Sequence, residues 1–200
     1  MKVSSILYMA AGIILGLGFV LGMQNYIRPF KYEGAVINPP YPASDFKLTN
    51  QAGQPFQLSD LRGKVILLFF GYTHCADVCP ATLAEFTQIH ARLGDQAKDA
   101  AFVFITVDPE RDTPGVLVKY LAKFDPAITG LTGTQDQLLP VWKSYGVYQQ
   151  DMNSAASLDA VIDHSSYIYV IDRSGKVRET FSFGDPAGNM LKDVEQLIKG

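Results

Sequence analysis

The sequence predicts an α/β fold in which helices flank a central mixed sheet. Two apolar runs, Val65–Phe70 and Ala101–Val107, have the length and composition of strands that are covered on both faces. A helical pattern follows each run, and a strand pair and a last helix come after those. Such alternation of strands and helices is typical of domains with parallel strands at their centre.

The first part of the chain is expected to cross a membrane. No residue between Val3 and Ile27 is charged, and the span from Ile6 to Met23 is long enough to cross roughly 30 Å of hydrocarbon as a helix. We therefore interpret residues 1–24 as a single transmembrane anchor. A cleaved signal peptide is the alternative, but the end of the apolar run lacks a small-x-small cleavage site.

Residues 25–42 are predicted to form a linker, and residues 43–200 a folded domain. The linker contains prolines 29, 39, 40 and 42 and few apolar residues that could pack, so we expect an extended tether. The domain opens with two short strands separated by Asn50-Gln51-Ala52-Gly53, which predicts a small N-terminal hairpin. A net charge of −3 without a long basic run argues against nucleic acid as a partner.

The helices and the last strands are predicted from spacing and from turn residues. The first helix begins at Pro80, and Gly94 is well placed to end it. A later helix contains Trp142 as its largest apolar anchor. The turn Asp172–Gly175 joins two strands, and an amphipathic helix, Asn189–Ile198, follows them.

The only two cysteines, Cys75 and Cys79, lie where the first central strand meets its helix. Groups at the carboxyl ends of such strands stay reachable by ligands. Because Pro80 suits the first helical position, we expect Cys79 to be the N-cap residue and its sulfur to be more thiolate-like than a free cysteine. A structural disulfide is the alternative, but closing so short a loop removes only about 2 kcal/mol of chain entropy.

A third side chain decides whether the cysteines form a redox pair or a metal site. We expect His90, on the apolar face of the first helix, to be partly buried and hydrogen-bonded. His74 adjoins Cys75 and is as well suited to shape or charge the loop as to bind a metal. The order of elements resembles the thioredoxin fold, which would place His164 beside the cysteine loop, either as a ligand or as a surface residue. Two thiolates and an imidazole suit copper, with Cu(I) favoured by the sulfurs, whereas zinc sites usually need a fourth ligand.

Three separated motifs resemble the Sco/SenC family of membrane-anchored copper chaperones. The motifs are Gly71–Pro80, Val107–Thr113 and Asp163-His164-Ser165. The resemblance covers about residues 40–200 and implies a thioredoxin-like domain that faces the periplasm or the intermembrane space. It also implies that Cys75, Cys79 and His164 bind copper, and that the protein helps to build the dinuclear copper centre of cytochrome c oxidase.

On this basis we expect a metallochaperone in the bacterial cytoplasmic membrane, with a single span and its C-terminal domain in the periplasm. It would carry Cu(I), with Cu(II) left open, and would deliver it to cytochrome c oxidase subunit II. A thioredoxin-like reductant and another copper chaperone are further expected partners. Copper transfer needs no turnover chemistry, so an enzyme activity is not expected under this interpretation.

Two alternatives use the same cysteines. A membrane-tethered thiol-disulfide oxidoreductase would use Cys75 and Cys79 as a catalytic redox pair to reduce the copper-ligand cysteines of the oxidase subunit. A redox sensor is the other alternative. The charged segment Asp108–Asp112 is expected to be exposed, and it is assigned either to partner recognition or to a solvated capping loop.

Overall fold

The computed structural model describes residues 12–19, 30–147 and 167–200, and the chain divides into two compact units. The first unit, Met1–Lys31, contributes helical residues 12–19. Within the described residues, no helix is both long enough and apolar enough to span a bilayer. The transmembrane anchor at residues 1–24 therefore stays a prediction. The second unit, Tyr32–Gly200, contains the whole sheet.

Among the described residues, eight strands form one mixed sheet. In chain order they are β1 (Ala35–Pro42), β2 (Lys47–Asn50), β3 (Pro55–Gln57), β4 (Val65–Gly71), β5 (Ala100–Thr106), β6 (Ile128–Thr132), β7 (Tyr167–Ile171) and β8 (Lys176–Ser182). Their order across the sheet is β1-β8-β7-β4-β5-β6-β2-β3. The central strands β4, β5 and β6 are parallel, and the outer pairs are antiparallel.

Among the described residues of the second unit, four α-helices cover both faces of this sheet. They are α1 (Val78–Leu93), α2 (Pro114–Leu121), α3 (Gln135–Ser144) and α4 (Ala187–Lys199). Short 3-10 helices occupy Leu58–Leu61 and Gly94–Asp99. Side chains of β4 alternate between two cores: Leu67 and its neighbours pack with α1, α2 and α4, whereas Leu68 packs with α3. The predicted mixed sheet with helices on both sides is therefore confirmed, as are both predicted hairpins.

Two strands lie where the sequence predicted none. Ala35–Pro42, in the predicted tether, is the edge strand β1 and pairs with β8, so the folded unit begins at Tyr32 rather than at residue 43. Prolines are compatible with an edge strand, because its outward N–H groups need no ladder partner. The other is β6, where Gly130 leaves the room that the Leu121 side chain of α2 occupies.

Candidate metal site

The two cysteines meet at the carboxyl end of β4. Cys79 lies in the first turn of α1 and is fully buried, whereas Cys75 lies in the preceding loop and is partly exposed. The Cys79 backbone N–H donates to the Cys75 sulfur over 3.3 Å, and both side chains are free thiols. The structure therefore brings together the two sulfurs that the sequence predicted as site residues.

Gly71 makes room for the Cys79 sulfur. A Cβ at position 71 would lie 2.8 Å from Cys79 Sγ, 2.7 Å from Phe104 Cε2 and 3.0 Å from Phe69 Cε1. All three neighbours are fully buried, so none can move without disturbing the core. The absence of a side chain at the last residue of β4 is thus part of the site.

The predicted N-cap was wrong. Helix α1 begins at Val78 with Asp77 as its N-cap, so Cys79 is already inside the helix and Pro80 is its third residue. Proline is tolerated there because the first four helical N–H groups have no partner within the helix. The prediction of a thiolate-like Cys79 was also wrong: burial raises the pKa of its thiol above the ordinary range, and the neighbouring Cys75 adds to the effect.

The structure answers the question of the third ligand in part. His90 Nδ1 lies 2.8 Å from Asp125 Oδ2, and its ring packs edge-on against Phe102, so the prediction of a hydrogen-bonded, partly buried residue is confirmed. His74 is exposed, and its Nδ1 lies 3.2 Å from Thr73 Oγ1. His164 lies outside the described residues, so its role as a ligand remains a prediction.

The loop after β5 differs most from its prediction. Asp108 is only 3% exposed and Asp112 is fully buried, although the segment was expected to be solvated. The Asp112 carboxylate accepts hydrogen bonds from Thr73 and from Thr106, and Asp108 pairs with Arg111. These polar partners explain the burial. Parallel pairing places Gly71 opposite Thr106, a non-local relation that the local sequence does not show.

The same loop approaches His74. Ligand atoms of His74, Asp108 and Asp112 lie within 4.8 Å of one another, and this group is a possible cation cluster. Asp112 is already bonded to two threonines and Asp108 to Arg111, so hydrogen bonds account for the arrangement. We therefore assign no cation to it.

The fold and this site define a class: a thioredoxin-like domain whose first strand-to-helix junction carries two reduced, converging cysteines. The chain belongs to the SCO1/SenC family, because the model of that family matches residues 37–199. The predicted family is therefore confirmed.

Individual relatives agree with this assignment. The SCO2-like protein of Rickettsia felis is 37% identical over 157 residues, which cover 78% of this chain and 75% of that protein. The mitochondrial protein SCO2 of Saccharomyces cerevisiae is 44% identical, but the chain spans only 52% of its length. Among solved structures, Bradyrhizobium japonicum ScoI with copper bound superposes with a TM-score of 0.70 at 36% identity, over 78% of this chain and 99% of that one.

Proposed function

We propose that the protein is a copper metallochaperone in which Cys75 and Cys79 bind Cu(I). The contact between the Cys79 N–H and the Cys75 sulfur supports this proposal most directly, because it brings two free thiols together where the loop meets the first turn of α1. Thiolate sulfur is a soft ligand that favours Cu(I). The copper-bound state of the 36% identical ScoI supports the same metal.

His164 is the proposed third ligand. It completes a set of two thiolates and one imidazole, which matches the low coordination number of Cu(I) better than the four ligands of a structural zinc site. The partly exposed Cys75 is the sulfur that an incoming or departing copper ion reaches first, whereas Cys79 lies behind it in the core. Copper would pass to a partner by exchange of one ligand at a time. Each thiol that becomes a ligand releases its proton.

The proposed recipient is the dinuclear copper centre of cytochrome c oxidase subunit II. Membership of the SCO1/SenC family supports this choice. In the proposed arrangement, residues 1–24 anchor the protein in the bacterial cytoplasmic membrane, and the folded domain works in the periplasm. An oxidising compartment would close Cys75 and Cys79 into a disulfide, so a thioredoxin-like reductant is the proposed partner that restores the copper-binding form.

A copper titration tests the proposal. The reduced full-length chain in detergent is titrated with Cu(I) in competition with a chromophoric chelator. We expect binding of one Cu(I) per chain, with loss of tight binding in Cys75→Ser, Cys79→Ser and His164→Ala. The matched control is His90→Ala. It removes an imidazole that is hydrogen-bonded to Asp125, and it should leave the Cu(I) affinity unchanged. Unchanged affinity in either cysteine variant would overturn the two-sulfur site.

A thiol-disulfide oxidoreductase is the second candidate, because a partly exposed thiol next to a buried one also suits disulfide exchange. The Cys75 thiolate would attack a partner disulfide, forming a mixed disulfide and releasing one partner thiolate. Cys79 would then attack Cys75 and release the second partner thiolate, leaving a Cys75–Cys79 disulfide for an external dithiol to reduce. In this case His164→Ala should retain exchange with a small disulfide, and copper binding would be incidental.

A further inference from the structure

One buried carboxylate links the cysteine loop to the loop after β5. Asp112 Oδ1 accepts from the Thr73 hydroxyl at 2.5 Å, and Asp112 Oδ2 accepts from the Thr73 backbone N–H at 3.1 Å. The Thr106 hydroxyl at the end of β5 donates to Asp112 Oδ2 at 2.6 Å. Asp112 and Thr106 are fully buried, and Thr73 lies two residues before Cys75. The Asp112 carboxylate therefore holds Thr73, and with it the segment that leads to Cys75, in position.

The directions of these hydrogen bonds follow from their chemistry. An ionised carboxylate only accepts, and a hydroxyl has a single proton to donate. The Thr106 hydroxyl donates its proton to Asp112 and accepts from the Asp108 N–H at 2.9 Å. It is therefore hydrogen-bonded both as a donor and as an acceptor. The Thr73 hydroxyl likewise gives its proton to Asp112, so it can only accept from His74 Nδ1, which lies 3.2 Å away. A neutral His74 must then carry its proton on Nδ1, and its lone pair on Nε2.

We propose that Asp112 is a positioning residue, which holds the segment before Cys75 on the end of β5 and selects the Nδ1–H tautomer of His74. An exposed imidazole next to Cys75 then offers Nε2 as a nitrogen donor to an arriving Cu(I) ion. The role of His74 toward copper rests on the proposed function, whereas the assignment of its tautomer is independent of that function. Outer partners that orient a metal-binding loop typically contribute about 10- to 100-fold to metal affinity.

The tautomer can be measured directly, because the chain has only three histidines. The full-length protein in detergent, with ¹⁵N-labelled histidine, is studied without metal at mildly alkaline pH by long-range ¹H–¹⁵N correlation. The signal of His74 is assigned by its loss in His74→Gln. We expect the proton on Nδ1 in the wild type and in Thr73→Ser, which keeps the hydroxyl. Asp112→Asn and Thr73→Val should shift His74 toward the Nε2–H tautomer that dominates in free histidine.

Either of two results of the tautomer measurement would overturn the positioning role. One is a wild-type His74 protonated on Nε2, and the other is an Asp112→Asn variant that keeps the Nδ1–H signature. Should Asp112→Asn fail to fold, the pair Thr73→Val and Thr73→Ser decides the same question, since only the serine can pass the hydrogen bond to His74. Retention of the Nδ1–H tautomer in Thr73→Val would then refute the proposal.

Copper affinity is measured in parallel with a matched control. Asp193→Asn alters another fully buried carboxylate, which accepts from the backbone of Glu33 and Gly34 instead of the cysteine loop. We expect about 10- to 100-fold weaker Cu(I) binding in Asp112→Asn, and wild-type affinity in Asp193→Asn. A wild type that binds no Cu(I) would refute the proposed function and leave the tautomer result standing. A wild type that binds Cu(I) no better than Asp112→Asn would refute the positioning role alone.

Discussion

Replacement of Glu179 by glutamine should remove most of the pH dependence of stability near neutral pH. Glu179 on β8 and Asp193 on α4 are both fully buried. Among the described residues, both carboxylate oxygens of Glu179 and Asp193 Oδ1 have no hydrogen-bond donor. Burial and then the charge of Asp193 raise the pKa of Glu179 to about 8, against the opposing influence of the Arg178 charge. We expect a proton held between the two carboxyl groups to supply the missing donor.

The sign and size of the effect follow from that pKa. Between the ordinary value of 4.5 and about 8, folded Glu179 holds a proton that the unfolded chain has lost, so stability falls as pH rises. A folded pKa of about 8 predicts a loss of about 1.4 kcal/mol in the free energy of unfolding between about pH 7 and pH 9. In Glu179→Gln, the amide can donate to Asp193 without titrating, so this part of the loss disappears.

Urea unfolding of the full-length chain in detergent, followed by circular dichroism at the two pH values, measures the difference. The control is Glu110→Gln, which changes an exposed glutamate and should retain the wild-type pH dependence. Groups other than Glu179 titrate equally in all three proteins, so comparison of the slopes isolates the buried pair. Equal slopes for the wild type and Glu179→Gln would show that Glu179 is ionised throughout, and would refute the shared proton.

Two further substitutions test the packing around the site. Gly71→Ala should lower the free energy of unfolding by about 1–3 kcal/mol and weaken Cu(I) binding, because its Cβ would collide with Cys79 Sγ. The control is Gly115→Ala, in which the added carbon has nothing within 4 Å, so its melting temperature and its Cu(I) affinity should stay close to those of the wild type. A fully stable Gly71→Ala that binds copper normally would contradict this account. Trp142→Phe should lower the free energy of unfolding in urea by about 1–3 kcal/mol, because the indole N–H donates over 3.1 Å to the buried carbonyl of Thr106. Unchanged stability of this variant would mean that the Thr106 carbonyl finds another donor.

The central sheet could be predicted from the sequence because its strands are apolar throughout. Every residue of β4 is buried, as expected for a parallel strand that helices cover on both faces. The edge strand β1 was missed because its prolines are typical of linkers, and its pairing with β8 joins segments far apart in the chain. The strand β6 was missed because it is short and contains Gly130, whose lack of a side chain serves packing against α2.

The candidate site was predictable where it depends on local sequence. The strand-to-helix junction located Cys75 and Cys79 correctly, since both lie in one continuous segment. Burial of Asp112 was not predictable in the same way, because charged loop residues are usually solvated and its partners come from two other segments. The state of Cys79 was mispredicted for a related reason. A helix N-terminus favours a thiolate only modestly, and in this protein full burial outweighs it.

The two sulfurs are held in different ways, and this difference gives the proposed copper transfer an order. The Cys79 sulfur lies beside Gly71 and belongs to the fully buried cluster that also contains Phe104, so its position is fixed by the core. Cys75 lies in the partly exposed loop that Asp112 holds through hydrogen bonds to Thr73. A partner's ligand can therefore approach copper on the Cys75 side without disturbing the core. We expect Cys75 to be the first sulfur exchanged and Cys79 the last, so Cys75→Ser should lose copper to a small chelator faster than the wild type and should pass less of it to an acceptor peptide.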